Sequence, residues 1–228
     1  VEAFYIKYLM GYNNSLLERI YQKALLPQER GNDVVLTIDF ELQQFIDEIM
    51  GKHKGAAVVL KVHTGEILAM VSHPTYNPNS LSGEMEGDKL YNRATNGLYP
   101  PGSAFKIITA ASALENLEGI MEEEFICEGK LDLSGEVIPC YNEQKHGNIN
   151  LSKAMIYSCN TVFAQLGASL GRKNLIKTAE SFGFNQDFLF KDIKLVASKL
   201  PLKSSVSDGK LGWTAVGQGD VLVTPMHM

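Results

Sequence analysis

Apolar positions along this chain change period several times, and each change predicts an element. Leu16, Leu17, Ile20, Tyr21, Ala24 and Leu25 recur at helical spacing, Ser15 and Glu18 have the spacing of a capping box, and Pro27 and Gly31 close the stretch. So short a stripe has little to pack on by itself. Residues 1–33 are therefore expected to be a helical lead-in belonging to a domain that lies mostly elsewhere. Val34-Val35-Leu36-Thr37-Ile38 predicts a short strand, and Asp39 predicts the cap of a helix carrying Leu42, Phe45, Ile46 and Ile49. Two apolar runs, 56–62 and 67–71, are joined by the turn His63-Thr64-Gly65-Glu66 and predict a hairpin. Unbroken apolar strands imply burial on both faces, with helices on each side.

From His73 to Gly102 prolines and asparagines predict a long loop, which in a compact domain is usually functional. Ser103 to Leu117 follows as a helix with almost no polar face, the pattern of an element in the middle of a domain. Residues 118–150 are mixed and turn-rich. Leu151–Tyr157, Thr161–Leu170 and Lys173–Phe182 predict further helices, the last stopped by Gly183. Helices, a hairpin and then many helices make an α+β order. Thr224-Pro225 announces one more helix, but three residues remain, and a lone buried hairpin is too little sheet to support itself. The fold is therefore expected to be incomplete within these residues.

Composition narrows the function classes. The 228 residues are 45% hydrophobic and 21% charged, an ordinary globular balance, and the length suits one domain plus part of a second. With 21 Lys+Arg against 26 Asp+Glu the net charge is -5, which argues against a nucleic-acid partner. No apolar run approaches the ~18 residues of a membrane span, and Val1 to Tyr5 lack the basic region of a signal peptide. Any membrane anchor is expected upstream. Cys127, Cys140 and Cys159 include no Cys-x-x-Cys pair, and His53, His63 and His73 share neither a helical nor a strand face. Neither a metal nor a cofactor is expected. Cys127 and Cys140 are open to two readings, a disulfide or two free thiols, since spacing does not give geometry.

Chemistry enters with serine and lysine three residues apart, which on a helix share a face one turn apart. Two such pairs occur, Ser103/Lys106 and Ser207/Lys210. Ser207 lies in a polar, glycine-containing stretch and reads as a solvated loop. Ser103 follows Pro100-Pro101-Gly102 and opens the apolar helix, so Lys106 faces a low-dielectric interior. An exposed lysine, with a pKa of about 10.4, holds its proton at neutral pH; desolvation frees the amine to deprotonate the serine. The plain alternative is a capping serine and a lysine reaching out to water. Ser158-Cys159-Asn160 is the only Ser-x-Asn in the chain and falls between two predicted helices. There Ser158 is placed to relay a proton and the Asn160 amide to hold a substrate carbonyl, unless the triplet is a plain helix cap.

Tyr99-Pro100-Pro101-Gly102-Ser103-Ala104-Phe105-Lys106, with Asn92-Arg93-Ala94 ahead of it, resembles the active-serine segment of penicillin-binding proteins, and Ser158-Cys159-Asn160 resembles their second motif. Leu36-Thr37-Ile38-Asp39, Leu42-Gln43, residues 55–59 and 64–70, Gly217-Gln218-Gly219 and Thr224-Pro225 agree with class B members in order and spacing. The resemblance covers residues 34–228; residues 1–33 resemble the tail of the N-terminal pedestal domain of that class. It implies an α+β fold like that of penicillin-binding proteins and serine β-lactamases, seen here as a helical cluster plus the N-terminal part of an antiparallel sheet. The implied activity is a peptidoglycan D,D-transpeptidase on the extracytoplasmic face of the bacterial membrane. Its partners would be stem peptides, β-lactams and the cell-wall synthesis and division machinery. Ser103 would be the nucleophile, Lys106 its base, Ser158 the relay and Asn160 a substrate-binding group, with the Ser103 N–H as half of an oxyanion hole.

One motif of the family is missing: no Lys-Thr-Gly or Lys-Ser-Gly occurs in the sequence. That motif supplies the carboxylate site and the second oxyanion donor, so these residues alone are expected to catalyse poorly. The alternatives are a β-lactam-sensing or β-lactam-hydrolysing relative and a non-catalytic module of cell-wall assembly.

Overall fold

The structure, a computed structural model, describes residues 2–11, 15–17, 20, 31–77, 88–187, 189–190 and 193–228. Its first helix, α1 (Glu2–Leu9), precedes the stripe of residues 16–25, most of which lies outside the described residues, as does Glu18 of the capping box. Asp39 caps α2 (Phe40–Met50) as its position predicts, its carboxylate accepting the Leu42 N–H at 3.0 Å. The strand expected at 34–38 does not form. This stretch is held beside the hairpin by the Thr37 hydroxyl on Ile67 O (2.6 Å) and the Asp39 N–H on Leu68 O (2.9 Å), not by a ladder of main-chain bonds.

The hairpin does form, from β1 (Gly55–Leu60) and β2 (Ile67–His73), antiparallel with Gly55 opposite His73. Its burial departs from expectation. β2 alternates buried and half-buried positions and β1 is at most half-buried, so the described residues enclose one face far more than the other. The α2 side is pinned by Gln43, whose amide donates to Met70 O (3.0 Å) and accepts from Met70 N (2.8 Å), in the manner of a neighbouring strand. His73 adds a second tie to α2 through Asp47 at 2.7 Å.

The loop from 73 to 102 contains a short helix, α3 (Arg93–Asn96), capped by the Asn92 side chain. A 3-10 turn (Gly102–Phe105) then leads into α4 (Lys106–Asn116), so the single helix expected over 103–117 starts as a tighter coil. Phe105, Ile108, Ala110 and Ala113 are buried, while Ile107 and Leu114 are exposed. The segment lies in the core by one face and is not enclosed all round.

Residues 118–150 hold four strands of four residues each: β3 (Glu124–Cys127), β4 (Lys130–Leu133), β5 (Glu136–Pro139) and β6 (Gly147–Asn150). They pair as β3 with β6 and β4 with β5. Strands this short do not show an alternation that can be told from turn sequence. The helices α5 (Leu151–Ile156) and α6 (Asn160–Ser181) follow, and α6 breaks at Gly171, where φ is 66°, dividing it as the two expected helices. After a two-residue hairpin of β7 (Leu189–Phe190) and β8 (Ile193–Lys194) comes α7 (Asp208–Ala215), where a solvated loop was expected. Ser207 caps it, accepting the Lys210 N–H at 3.3 Å.

Packing explains why a glycine-containing stretch is helical there. A Cβ on Gly212 would stand 2.7 Å from Ile138, and one on Gly167 of α6 would stand 2.5 Å from Ala215 of α7. The small residues let the two helices approach closely, which outweighs weak helix propensity. Helices α4, α6 and α7 enclose the main core, with Phe105, Phe163, Leu166, Leu175 and Phe184 fully or almost fully buried. A smaller cluster of Ile67, Leu195 and Met226 lies under the hairpin. The architecture is α+β, a helical cluster with short antiparallel sheets, as expected.

Candidate active site

The turn bearing Ser103 is fixed by backbone geometry. Gly102 has φ 58° and donates its N–H to Gly217 O at 2.9 Å. Gly217 has φ 77°, and a Cβ there would lie 1.9 Å from Gly102 O, so only glycine allows this approach. The Gly217-Gln218-Gly219 segment thus backs the serine turn. Ser103 itself is exposed, and no side chain caps either the 3-10 turn or α4, so Ser103 is not a helix cap.

Lys106, one turn inside, is 1% exposed and does not reach out to water. Its Nζ lies 2.6 Å from Ser158 O, 2.6 Å from Asn160 Oδ1, 2.9 Å from Ser158 Oγ and 3.3 Å from Ser103 Oγ. Ser158 Oγ is in turn 3.0 Å from Ser103 Oγ. Two of these partners accept only. Ser158 O is a carbonyl, and the Asn160 amide is oriented by its nitrogen, which donates to Pro139 O at 2.9 Å. A neutral amine has two N–H groups for those two acceptors, and its lone pair is left for a serine hydroxyl. The neutral form therefore satisfies the site fully. Burial pulls the Lys106 pKa down from 10.5 to about 8, against the opposing influence of the nearby Cys159 and Cys140. The Phe163 ring, 5.5 Å from Nζ, supplies part of that apolar surround.

Ser158 sits where α5 gives way to α6, with a positive φ of 51°. That bend directs both its carbonyl and its hydroxyl at Lys106. Cys159 is the N-cap residue of α6 but makes no side-chain cap bond, so the triplet does not act as a plain helix cap. Ser103, Ser158 and Asn160 open on one cavity of about 600 Å³. Ser207 and Lys210 are exposed and are occupied in capping α7.

The cavity walls include Tyr157, Trp213 and Gln218, together with Cys140 and His146. Tyr157 and Trp213 carry no signal in the sequence, whereas Gln218 lies between Gly217 and Gly219, both with positive φ. Metal-binding capacity is a further difference from what spacing suggests. His53 and His63 are exposed and His73 is engaged by Asp47 and Gly51. His146, however, meets Cys127, Cys140 and Cys159, with all four donor atoms within 4.8 Å of one another. The three thiols are free, so no disulfide joins Cys127 to Cys140. Burial raises the Cys159 pKa to about 12, whereas hydrogen bonds around Cys127 overcome its burial and bring it to about 6.

Comparison with known proteins gives a consistent result. The penicillin-binding protein transpeptidase domain family matches residues 55–228. The chain is 34% identical over 226 residues to the peptidoglycan D,D-transpeptidase PbpA of Mycobacterium tuberculosis, covering 86% of this chain and 44% of that protein. It is 31% identical to the peptidoglycan D,D-transpeptidase MrdA of Acinetobacter baumannii, covering 87% of this chain and 33% of that one. The chain thus spans less than half the length of these relatives. Among solved structures, the penicillin G acyl-enzyme of penicillin-binding protein A from M. tuberculosis superposes with a TM-score of 0.87 at 30% identity, covering 99% of this chain and 57% of that one. A complex of penicillin-binding protein PBP2 with MreC from Helicobacter pylori gives 0.74 at 27% identity, covering 83% and 39%.

Proposed function

This chain belongs to the penicillin-binding protein transpeptidase family, and on that premise we propose that it carries the nucleophile of a peptidoglycan D,D-transpeptidase. Ser103 attacks the D-Ala-D-Ala carbonyl of a stem peptide, the terminal D-alanine leaves, and the resulting ester passes to an amine of a neighbouring stem peptide. A β-lactam acylates the same hydroxyl.

The observation that carries this reading is the convergence of Ser103, Lys106 and Ser158, the last 52 and 55 residues from its partners in sequence, with both serines opening on one cavity and Lys106 buried behind them. Two proton paths fit the distances. Lys106 takes the Ser103 proton directly across 3.3 Å, or through the Ser158 hydroxyl in steps of 3.0 and 2.9 Å. The second path has better lengths at each step, and it also returns the proton to the departing amine. Asn160 orients Lys106 through its oxygen, and one N–H of its amide is used on Pro139 O, leaving the other for substrate. The Ser103 N–H, in the first turn where backbone donors lack helical partners, is half of the oxyanion hole.

Residues 34–228 form the transpeptidase part and 1–33 the tail of a pedestal domain. The site faces the extracytoplasmic side of the bacterial membrane, where the stem peptides and the cell-wall synthesis and division machinery are found. A relative solved in complex with MreC supports such a partner class.

The test is mass spectrometry of the full-length protein after exposure to a labelled penicillin. A stable adduct on Ser103 is expected, lost in Ser103→Ala and kept in Ser207→Ala. Labelling of Ser207 instead would overturn the assignment, and a drug released as hydrolysed product would favour a β-lactamase-like activity.

A further inference from the structure

The four donors beside the active site have metal-binding geometry, not only metal-binding chemistry. Cys127 Sγ and Cys140 Sγ are 3.7 Å apart, as are Cys140 Sγ and Cys159 Sγ. His146 Nδ1 is 3.2 Å from Cys127 Sγ and 3.8 Å from Cys140 Sγ. A tetrahedral zinc ion with Zn–S bonds of about 2.3 Å and a Zn–N bond of about 2.0–2.1 Å requires S···S edges of about 3.8 Å and S···N edges of about 3.5 Å. These four edges lie within about 0.3 Å of those values, and the two from Cys159 to Cys127 and to His146 are no longer than 4.8 Å. A disulfide requires sulfurs about 2.05 Å apart and would leave the third thiol and the imidazole without a role.

The surroundings fit as well. The three cysteines are buried, and His146 is half-buried in the wall of the cavity, which gives an ion a way in. The His146 ring lies flat on Tyr157, 5.3 Å between centroids and 5° between planes, which orients Nδ1 toward the thiols. A set of three thiolates and one imidazole selects Zn²⁺ over hard cations.

Its place in the fold gives the cluster a purpose. Cys127 ends β3, Cys140 follows β5, His146 precedes β6, and Cys159 is the middle residue of Ser158-Cys159-Asn160. Pro139, beside Cys140, accepts the Asn160 amide. One ion would therefore join both small sheets to the start of α6, on either side of the contacts that aim Ser158 and Asn160 at Lys106. We propose that Cys127, Cys140, His146 and Cys159 bind one Zn²⁺ in a Cys3His site that holds the Ser158–Asn160 corner in its catalytic position. The ion touches no reacting atom; its ligands are positioning residues, and this part of the proposal rests on the transpeptidase reading.

The experiment uses the full-length protein purified under reducing conditions. Elemental analysis is expected to find one zinc per chain. Replacement by Co²⁺ is expected to give sulfur-to-cobalt charge-transfer bands and the intense visible bands of a tetrahedral ion, with three thiols shielded from alkylation. Cys140→Ser and His146→Ala should each weaken those signals, and the wild-type titration stands even if a variant does not fold. Removing zinc with a chelator should slow Ser103 acylation about tenfold or more, with recovery on adding Zn²⁺ back.

Absence of stoichiometric metal together with absence of a cobalt–thiolate band, or isolation of the protein with a Cys127–Cys140 disulfide, would overturn the site. Metal binding with unchanged acylation after chelation would overturn the positioning role. Tetrahedral cobalt spectra in a protein whose Ser103 never reacts would keep the metal site and count against the transpeptidase reading, so the two can fail separately.

Discussion

Lys106 can accept a proton at neutral pH only after losing its own, and burial decides when that happens. With a pKa lowered to about 8, the fraction of neutral amine rises roughly tenfold per pH unit below that value and levels off above it. The rate of Ser103 acylation by a labelled penicillin, followed from about pH 6 to about pH 10, should therefore climb and flatten near pH 8. A rate still climbing past pH 9.5 would mean an unperturbed lysine, whose ordinary value is about 10.4. Lys106→Ala should lower the rate by about 10²–10⁴-fold, and Lys106→Arg should not restore it, because a guanidinium does not give up its proton. The serine and lysine were legible in the sequence because a three-residue spacing in an apolar helix is a local property. Ser158 was legible as the relay, but that its carbonyl and the Asn160 amide oxygen would take the Lys106 hydrogens was not, since these groups come from 52 and 54 residues away.

Turns and helices show the same division. The cap of α2, the β1–β2 hairpin and the break of α6 at Gly171 follow from neighbouring residues and were expected. The short strands β3 to β6 and the helix α7 were not. Four residues carry no measurable period, and the glycines of α7 argue locally against a helix that close packing on α6 stabilises. Glycine also permits a quantitative comparison between two connections. At Gly171 the φ of 66° is the only obstacle to a side chain, since nothing lies within 4 Å of an added Cβ, whereas at Gly217 the backbone of Gly102 is also in the way. With ψ at 172° this is extended positive-φ backbone that essentially only glycine adopts, so Gly171→Ala should cost about 2 kcal/mol in urea unfolding. Gly217→Ala should cost more, on the order of 3 kcal/mol, and should reduce acylation as well because the Ser103 turn must shift.

Across the chain as a whole, the described contacts divide unequally. Helices α4, α6 and α7 share one core, and the small sheets pack on it. Phe4 and Ile6 of α1 are exposed, and among the described residues α1 makes few contacts with other elements. Removing residues 1–33 is therefore expected to leave the melting temperature within about 2 °C and the acylation rate unchanged, measured by calorimetry and by penicillin labelling. A large loss of stability would mean that the lead-in belongs to the transpeptidase part after all.

Reading along the chain was enough for the α+β order, the helix caps, the motif pair Ser103/Lys106 and Ser158/Asn160, and the family they resemble, because each rests on near-neighbour spacing or on a motif. Whether Lys106 would be buried, which groups would take its hydrogens, and whether three scattered cysteines and a histidine would meet were settled only by packing. Those outcomes depend on chain segments far apart in sequence being brought within a few ångströms, and burial and convergence of that kind leave no period to read.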